Sequence, residues 1–398
     1  MKKISKTTRS NIVTYAMVIL AFVIMQSLIA GGQVSSALKG QLVPICVYIC
    51  MAISLNLTVG ILGELSLGHA GFMSVGAFTG VIAAMSLQTL PAPARLLLAI
   101  VIGGIMAAVA GVIVGVPVLR LQGDYLAIVT LAFGEIIKNL LNNIYVGVDG
   151  HGLHFSVTDS ASLGLEGGIV LINGPMGAVG IEKLSTFLAG FLLILFVLTV
   201  TLNLIRSRSG RAIMAVRDNR IAAESVGINV TKYKLMAFVT SAAMAGMAGA
   251  LYALNYSSVL PKKFDFNTSI LVLVFVVLGG MGNIRGSIIA ATVLTILPEA
   301  LRAVNDYRML LYAIVLILVM LVTNNPTLKN GWNVVKEKLA FWRKKTPVTA
   351  EKGGGADEQN GSCAPQQHHP GAGSEQDPRS GDPASGHRLR RSDRCGEL

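Results

Sequence analysis

The chain has 398 residues, of which 53% are hydrophobic and 14% charged, with a mean hydropathy of +0.62. A soluble domain carries about a quarter charged residues, so a water-soluble globular protein is excluded and a polytopic membrane protein is indicated. The net charge of +12 sits in short polar segments between apolar runs, which is the cationic-loop bias of a membrane protein rather than a nucleic-acid-binding surface.

Residues 1–11 form a short N-terminal segment carrying Lys2, Lys3, Lys6 and Arg9 ahead of an apolar run at 12–30. That run is long and Ala30-Gly31-Gly32 is a poor cleavage cue, which predicts an uncleaved first helix with a cytoplasmic start. Further apolar segments fall at 41–62, 69–87, 96–119, 125–143, 187–205, 235–256, 268–279, 284–298 and 309–323. Crossing a hydrocarbon layer of ~30 Å takes about 20 apolar residues. A transmembrane domain over 12–325 with about 8–10 helices, all-α in class, is therefore expected.

Charge sets the sides. With the N-terminus inside, the loop 144–186 is external and carries Asp149, Asp159, Glu166 and Glu182 against Lys183. The loop 206–234 is then internal and holds Arg206, Arg208, Arg211, Arg217, Arg220, Lys232 and Lys234. A basic segment at 326–345 should also be internal, which requires an even number of crossings. From 346 to 398 the composition turns to Gly, Pro, Ser, Gln and charge, which predicts a disordered tail.

Two glycine-rich breaks interrupt the apolar pattern. The first holds Gly60, Gly63 and Gly68 with Glu64 and His69, and the second holds Gly279, Gly280 and Gly282. Breaks free backbone groups that lipid cannot satisfy, so each should pack inside protein or line a watery cavity. The segment 268–298 is too long for one straight span and reads as a hairpin of short helices. Discontinuous helices in two parts of one chain point to a transport pathway.

No catalytic constellation emerges. The chain lacks a phosphate-binding loop of the G-x-x-x-x-G-K-[ST] type, a zinc-protease helix motif and paired cysteines with metal spacing. Cys46 and Cys50 share one apolar run and read as packing residues, and no metal site is expected. Charges at membrane depth weigh more, because each is costly unless paired or wetted. Glu135 lies eleven residues past Asp124, about 16 Å along a helix, with Lys138 one turn further on the same face. Asn56, Glu64, His69, Glu135 and Lys138 are the candidate pathway residues; a helix clamp for the Glu135 pair and a turn-flanking role for His69 stay open.

The stretch GRAIMAVRDNRIAAESVGINVTKYK, 210–234, is a basic insert between apolar runs. Asp218 or Asn219 suits an N-cap, Arg220 to Val226 can make two turns, and Gly227 suits the residue after a helix end. Arg220 and Glu224 are spaced to pair, while Ile221, Ala222 and Val226 form a small apolar patch. So short a helix must dock on something, either its own bundle or another protein, with a lipid-surface role as the plainer reading.

These residues carry a family resemblance. NLTVGILGELSLGHAGFMSVGAF (56–78), PVLRLQGDYLAIVTLAFGEIIKNLLNN (117–143), GRAIMAVRDNRIAAESVGI (210–228), KLMAFVTSAAMAGMAGALYA (234–253) and VLGGMGNIRGSIIAA (277–291) follow one another in order. Together they resemble the permease subunits of branched-chain amino-acid ABC importers, the LivM-like branch. The resemblance implies a non-enzymatic, multi-pass subunit of the bacterial inner membrane that pairs with a second homologous permease and with two cytoplasmic ATPases. It also implies an external substrate-binding protein, and places ATP and magnesium in the ATPases rather than in this chain. The cytoplasmic coupling helix of such importers carries over to Asp218, Asn219, Arg220, Ala222, Ala223, Glu224 and Gly227. Leucine, isoleucine and valine are the implied cargo. Urea or short-chain amides on a related permease, and a stand-alone channel or secondary transporter, are the alternatives.

Overall fold

A computed structural model of the chain describes residues 6–32, 36–121, 123–149, 152–158, 164, 168–301 and, singly, 310, 313, 314 and 317. The chain divides into units Met1–Val335 and Lys336–Leu398. The second unit, the basic segment from 326 and most of the apolar segment at 309–323 lie outside the described residues.

Eleven α-helices are seen among the described residues: α1 (Lys6–Ala30), α2 (Ser36–Asn56), α3 (His69–Ser86), α4 (Ala92–Val118), α5 (Asp124–Asn142), α6 (Phe187–Arg206), α7 (Arg208–Asp218), α8 (Arg220–Ser225), α9 (Val230–Ala253), α10 (Phe266–Gly279) and α11 (Ile284–Ala300). Six spans, in α1, α2 with its extension, α3, α4, α6 and α9, are long and apolar enough to cross a membrane. The architecture is an all-α polytopic bundle, as the apolar pattern predicts. The remaining expected spans differ for physical reasons. α5 carries Asp124, Glu135 and Lys138, while α10 and α11 have 14 and 17 residues and form the expected hairpin around a glycine turn.

α2 lies at the centre, buried along almost its whole length and packed by α6, α9, α10 and α11. Beside it α3, α4 and α9 pack most extensively. Lipid offers little hydrophobic drive between helices, so close van der Waals approach through small residues takes its place. Gly76 of α3, Gly103 of α4 and Gly246 of α9 meet at one point. A Cβ on Gly76 would stand 2.1 Å from the Gly246 carbonyl oxygen, and one on Gly246 would stand 2.7 Å from the Gly103 carbonyl oxygen and 2.2 Å from the Ala107 Cβ. The three backbones touch with no side chain between them.

A small sheet caps one end of the bundle, a feature the alternating but short apolar runs of the 144–186 loop did not make legible. Its strands are β1 (Tyr145–Asp149), β2 (Gly152–Ser156), β3 (Ile169–Asn173), β4 (Ala178–Val179) and β5 (Ser258–Val259), in antiparallel order β2-β1-β3-β4-β5. β5 follows α9, so the C-terminal end of α9 stands at the same end as the 144–186 loop. Near this end the buried Arg95 donates to the Ala84 carbonyl at 3.1 Å and pairs with Glu182 at 2.9 Å. Burial raises the Tyr256 phenol above its ordinary pKa, holding it neutral beside Tyr252. α6 runs away from the sheet and α9 runs back to it, which puts α7 and α8, with their cations, at the opposite end.

The glycine contact yields a direct test. Gly246→Ala forces apart three packed backbones, and overpacking of this kind costs about 1–3 kcal/mol. Thermal unfolding of the purified protein in detergent is expected to show a lowered midpoint for Gly246→Ala. Gly40→Ala is the control, since a Cβ there meets nothing within 4 Å, and its midpoint should hold or rise.

Candidate functional site

The basic end is built from two short helices with almost no slack between them. Ser207 alone separates α6 from α7 and caps α7 by accepting from the Gly210 N–H at 3.0 Å. Asn219 alone separates α7 from α8, in an extended conformation, and its side chain accepts from the Ala222 N–H at 3.0 Å. At the far end of α8, Gly227 has φ +82°, a left-handed geometry that strains any residue with a Cβ. The Gly227 N–H bonds the Glu224 carbonyl and the Ile228 N–H bonds the Ala223 carbonyl, both at 3.0 Å. This pair of bonds closes the last turn by the αL-glycine motif.

The two faces of α8 differ. Ala223 is 3% exposed and packs with Val216, Val230 and Ile228, so α8 rests on its own chain through that residue. Of the residues assigned to the coupling helix, Ala223 is therefore the one whose side chain is covered by its own chain. Ile221 and Val226, at 80% and 73% exposed, face outward. Arg220 and Glu224 pair at 3.1 Å on the open side, and Asp218 pairs with Arg217 at 2.8 Å.

The two glycine breaks meet: residues 57–62 of the first are buried, whereas Gly63 and residues 281–283 of the second are exposed. After Asn56 the backbone of α2 widens into a π-helical turn (Leu57–Leu62) that ends at Gly63, φ +80°. Asn56 is fully buried; its Oδ1 accepts from the Gly282 N–H at 2.8 Å, and its Nδ2 donates to Ser287 Oγ at 3.0 Å. A Cβ on Gly60 would stand 2.2 Å from the Gly282 nitrogen. The turn between α10 and α11 has Gly280 at φ +90° and Gly282 at φ +80°, with Gly279 packed against Ser287.

The freed backbone groups of the first break find partners in other helices. The Leu67 N–H donates to Thr130 Oγ1 of α5 at 3.1 Å, and the Ala70 N–H to Ser269 Oγ of α10 at 3.2 Å. Gly68 packs so tightly on α5 that a Cβ would stand 2.2 Å from the Thr130 carbonyl oxygen. His69 is 2% exposed with Nε2 2.7 Å from Ser54 Oγ, and Ser241 Oγ donates to the Ser54 carbonyl at 2.6 Å. The Thr58 and Ser66 hydroxyls are buried with no hydrogen-bond partner among the described residues.

Two cations from the segments that flank α8 reach into this break. Arg217 donates through Nη1 to the Gly60 carbonyl at 3.1 Å, and Lys234 of α9 forms a buried ion pair with Glu64. The sequence reads Arg217 and Lys234 only as two among seven cations; nothing in their spacing separates them from the solvated ones. Elsewhere Glu135 and Lys138 pair one turn apart on α5, partly exposed on a side that also presents Ile128. Apart from the α8 residues, the sequence-selected residues therefore fall into three places: Asn56, His69, Gly60 and Gly68 at the buried junction with the more open Gly279, Gly280 and Gly282 against it, Gly63 and Glu64 at its basic end, and the α5 pair on a partly open side. Among the described residues, no group of three or more His, Cys, Asp or Glu could hold a metal ion.

Comparison with known proteins agrees with this geometry. Residues 38–320 match the family described as branched-chain amino acid transport system / permease component. The chain belongs to this family. The permease protein LivM of the high-affinity branched-chain amino acid transport system of Escherichia coli (strain K12) is 39% identical over 290 residues, 69% of this chain and 66% of LivM. The match thus spans slightly less than two thirds of that relative. The ribose import permease protein RbsC of Haemophilus influenzae is 27% identical over 286 residues, 69% of this chain and 80% of RbsC. LivH, a permease of the same Escherichia coli system, is 34% identical over 131 residues, 32% of this chain and 42% of LivH. No solved structure matches the chain.

The two ion pairs make contrasting predictions. Lys234→Met strands the Glu64 carboxylate in a site where both side chains are at most 14% exposed, and leaving a buried charge unpaired costs about 3–5 kcal/mol. Glu224→Ala breaks a pair whose members are 41% and 51% exposed, which costs at most about 1 kcal/mol. Thermal unfolding of the two variants against the parent chain measures the difference.

Proposed function

We propose that the chain is a membrane-spanning permease subunit of an ATP-driven importer for branched-chain amino acids. The observation that carries this reading is the 39% identity to LivM across most of the bundle, together with an exposed, doubly capped helix at the basic end. The permease itself is a transport subunit and not an enzyme; energy enters from partner subunits that bind ATP and magnesium.

The proposed setting is a bacterial inner membrane with the N-terminus and the α7–α8 end in the cytoplasm. Charge favours that orientation, since Arg206, Arg208, Arg211, Arg217, Arg220, Lys232 and Lys234 cluster at one end. In this reading the sheet end faces an external substrate-binding protein, and Ile221 and Val226 of α8 seat in a groove of one of two cytoplasmic ATPases. A second homologous permease completes the pathway, as the likeness to both LivM and LivH suggests. The Glu135–Lys138 pair lies about 16 Å from the start of α5, near mid-membrane, on a face its own chain leaves partly open. Lipid disfavours such a pair, so that face is assigned to the second permease and the pathway between them.

The assembled complex in proteoliposomes is expected to import labelled leucine on addition of ATP, and excess ribose or urea should leave that uptake intact. The purified chain alone should move nothing; accumulation of leucine by the chain alone would overturn the reading. A double variant, Glu224→Ala with Gly227→Pro, removes the exposed pair and forces φ at 227 away from +82°. Transport should be abolished while the ATPases still copurify, checked by uptake and by subunit stoichiometry.

A further inference from the structure

We infer that the two chain segments flanking α8, the end of α7 and the start of α9, grip the broken end of α2 at one point each, and that Asn56 joins that end to the α10–α11 turn. The two glycine breaks thereby move as one inner gate. The inference rests on the reading of α8 as the ATPase contact, and adds to it the residues that carry its motion into the bundle.

The first grip is Arg217. It stands two residues before Asn219, the single residue linking α7 to α8, so little chain separates it from α8. Its guanidinium bonds the Gly60 carbonyl at 3.1 Å, and its Cγ stands 2.5 Å from where a Cβ on Gly63 would lie. A side chain at 63 would push Arg217 away; glycine brings the backbone itself against the arginine.

The second grip is Lys234, in the second turn of α9 and so beyond the other end of α8. It pairs with Glu64, one residue past Gly63, with side-chain exposures of 7% and 14%. Arg217 and Lys234 thus hold residues 60–64 from the two chain segments that flank α8. A displacement of α8 is delivered to this short segment from both sides. A buried ion pair is weak evidence of stabilisation, because desolvation offsets much of its attraction. Its value here lies in fixing the register between α9 and the break.

From residues 60–64 the connection continues inward through backbone and one amide. Gly60 lies against both the Asn56 side-chain oxygen and the Gly282 backbone, at 2.0 and 2.2 Å from where a Cβ on Gly60 would stand. Asn56, one turn earlier, holds both the Gly282 N–H and the Ser287 hydroxyl. Both breaks are flexible by composition, and each alone would absorb a displacement; cross-bonded, they transmit it. Coupling requires a contiguous element that both sites bias, and these contacts form one between α8 and the α10–α11 turn.

The test separates a relay from a merely structural role. The double variant Glu64→Gln with Lys234→Met removes the ion pair without stranding a charge, so folding and assembly are retained. Uptake and ATP hydrolysis are measured together in proteoliposomes holding the full complex with its binding protein. The expected result is near-parental hydrolysis with leucine moved per ATP reduced about tenfold, the size of a typical coupling term. Asn56→Leu should give the same uncoupling, and the reversed pair Glu64→Lys with Lys234→Glu should recover most of the ratio. An unchanged ratio in both the neutral pair and Asn56→Leu would overturn the relay. Cysteine crosslinking from Ile221→Cys and Val226→Cys to the ATPases reads the α8 contact separately. Absent crosslinks refute that contact, whereas crosslinks with an unchanged ratio refute the relay alone.

Discussion

A polypeptide within a hydrocarbon layer must bond its own backbone amides and carbonyls, and every unusual feature of this bundle follows from where it fails to do so by simple helix. The first failure is at 57–68, where α2 widens and then stops; the second is at 280–283, between α10 and α11. Neither break is left to lipid. Thr130, Ser269 and Asn56 supply side-chain partners, and the two breaks supply each other with backbone contact at Gly60 and Gly282. The irregular backbone of the first break is enclosed, with α2 at the centre of the bundle, while the exposed turn at 281–283 is tied to it through Asn56.

Enclosure demands that the surrounding helices come close, and the α3–α4–α9 junction shows how. Glycine at 76, 103 and 246 removes the side chains that would hold the backbones apart. Dispersion contacts between such surfaces are individually weak but numerous, and they replace the hydrophobic drive that operates in water. The apolar residues of α4, among them Leu97, Ile105 and Ile113, point outward instead, toward lipid or a neighbouring subunit. Large apolar residues therefore cover the outside as well as filling the core, where Met51, Ile53, Phe78 and Phe275 are fully buried.

The basic end then connects this enclosed irregularity to the water phase. α8 has two faces, one packed through Ala223 and one open through Ile221 and Val226. A short helix with caps at both ends keeps its shape while presenting that open face. Arg217 and Lys234 extend from the chain on either side of it to the first break. Cations that a charge count assigns to the aqueous loop are here partners of buried oxygen atoms.

Local pattern was enough to determine the helical class, the hairpin at 268–298 and the capped helix at 220–225, because hydrophobic length, glycine and cap chemistry act over a few residues. The sidedness of the charge and the existence of two breaks were legible for the same reason. The sheet was not, since β5 pairs with β4 across a gap of many residues and neither strand exceeds two residues. The meeting of Asn56 with Gly282 and Ser287, of Lys234 with Glu64, and of Arg217 with Gly60 was likewise decided only by the tertiary structure. Each joins residues more than 150 positions apart, and no local periodicity encodes which distant helix will come to lie within a hydrogen bond.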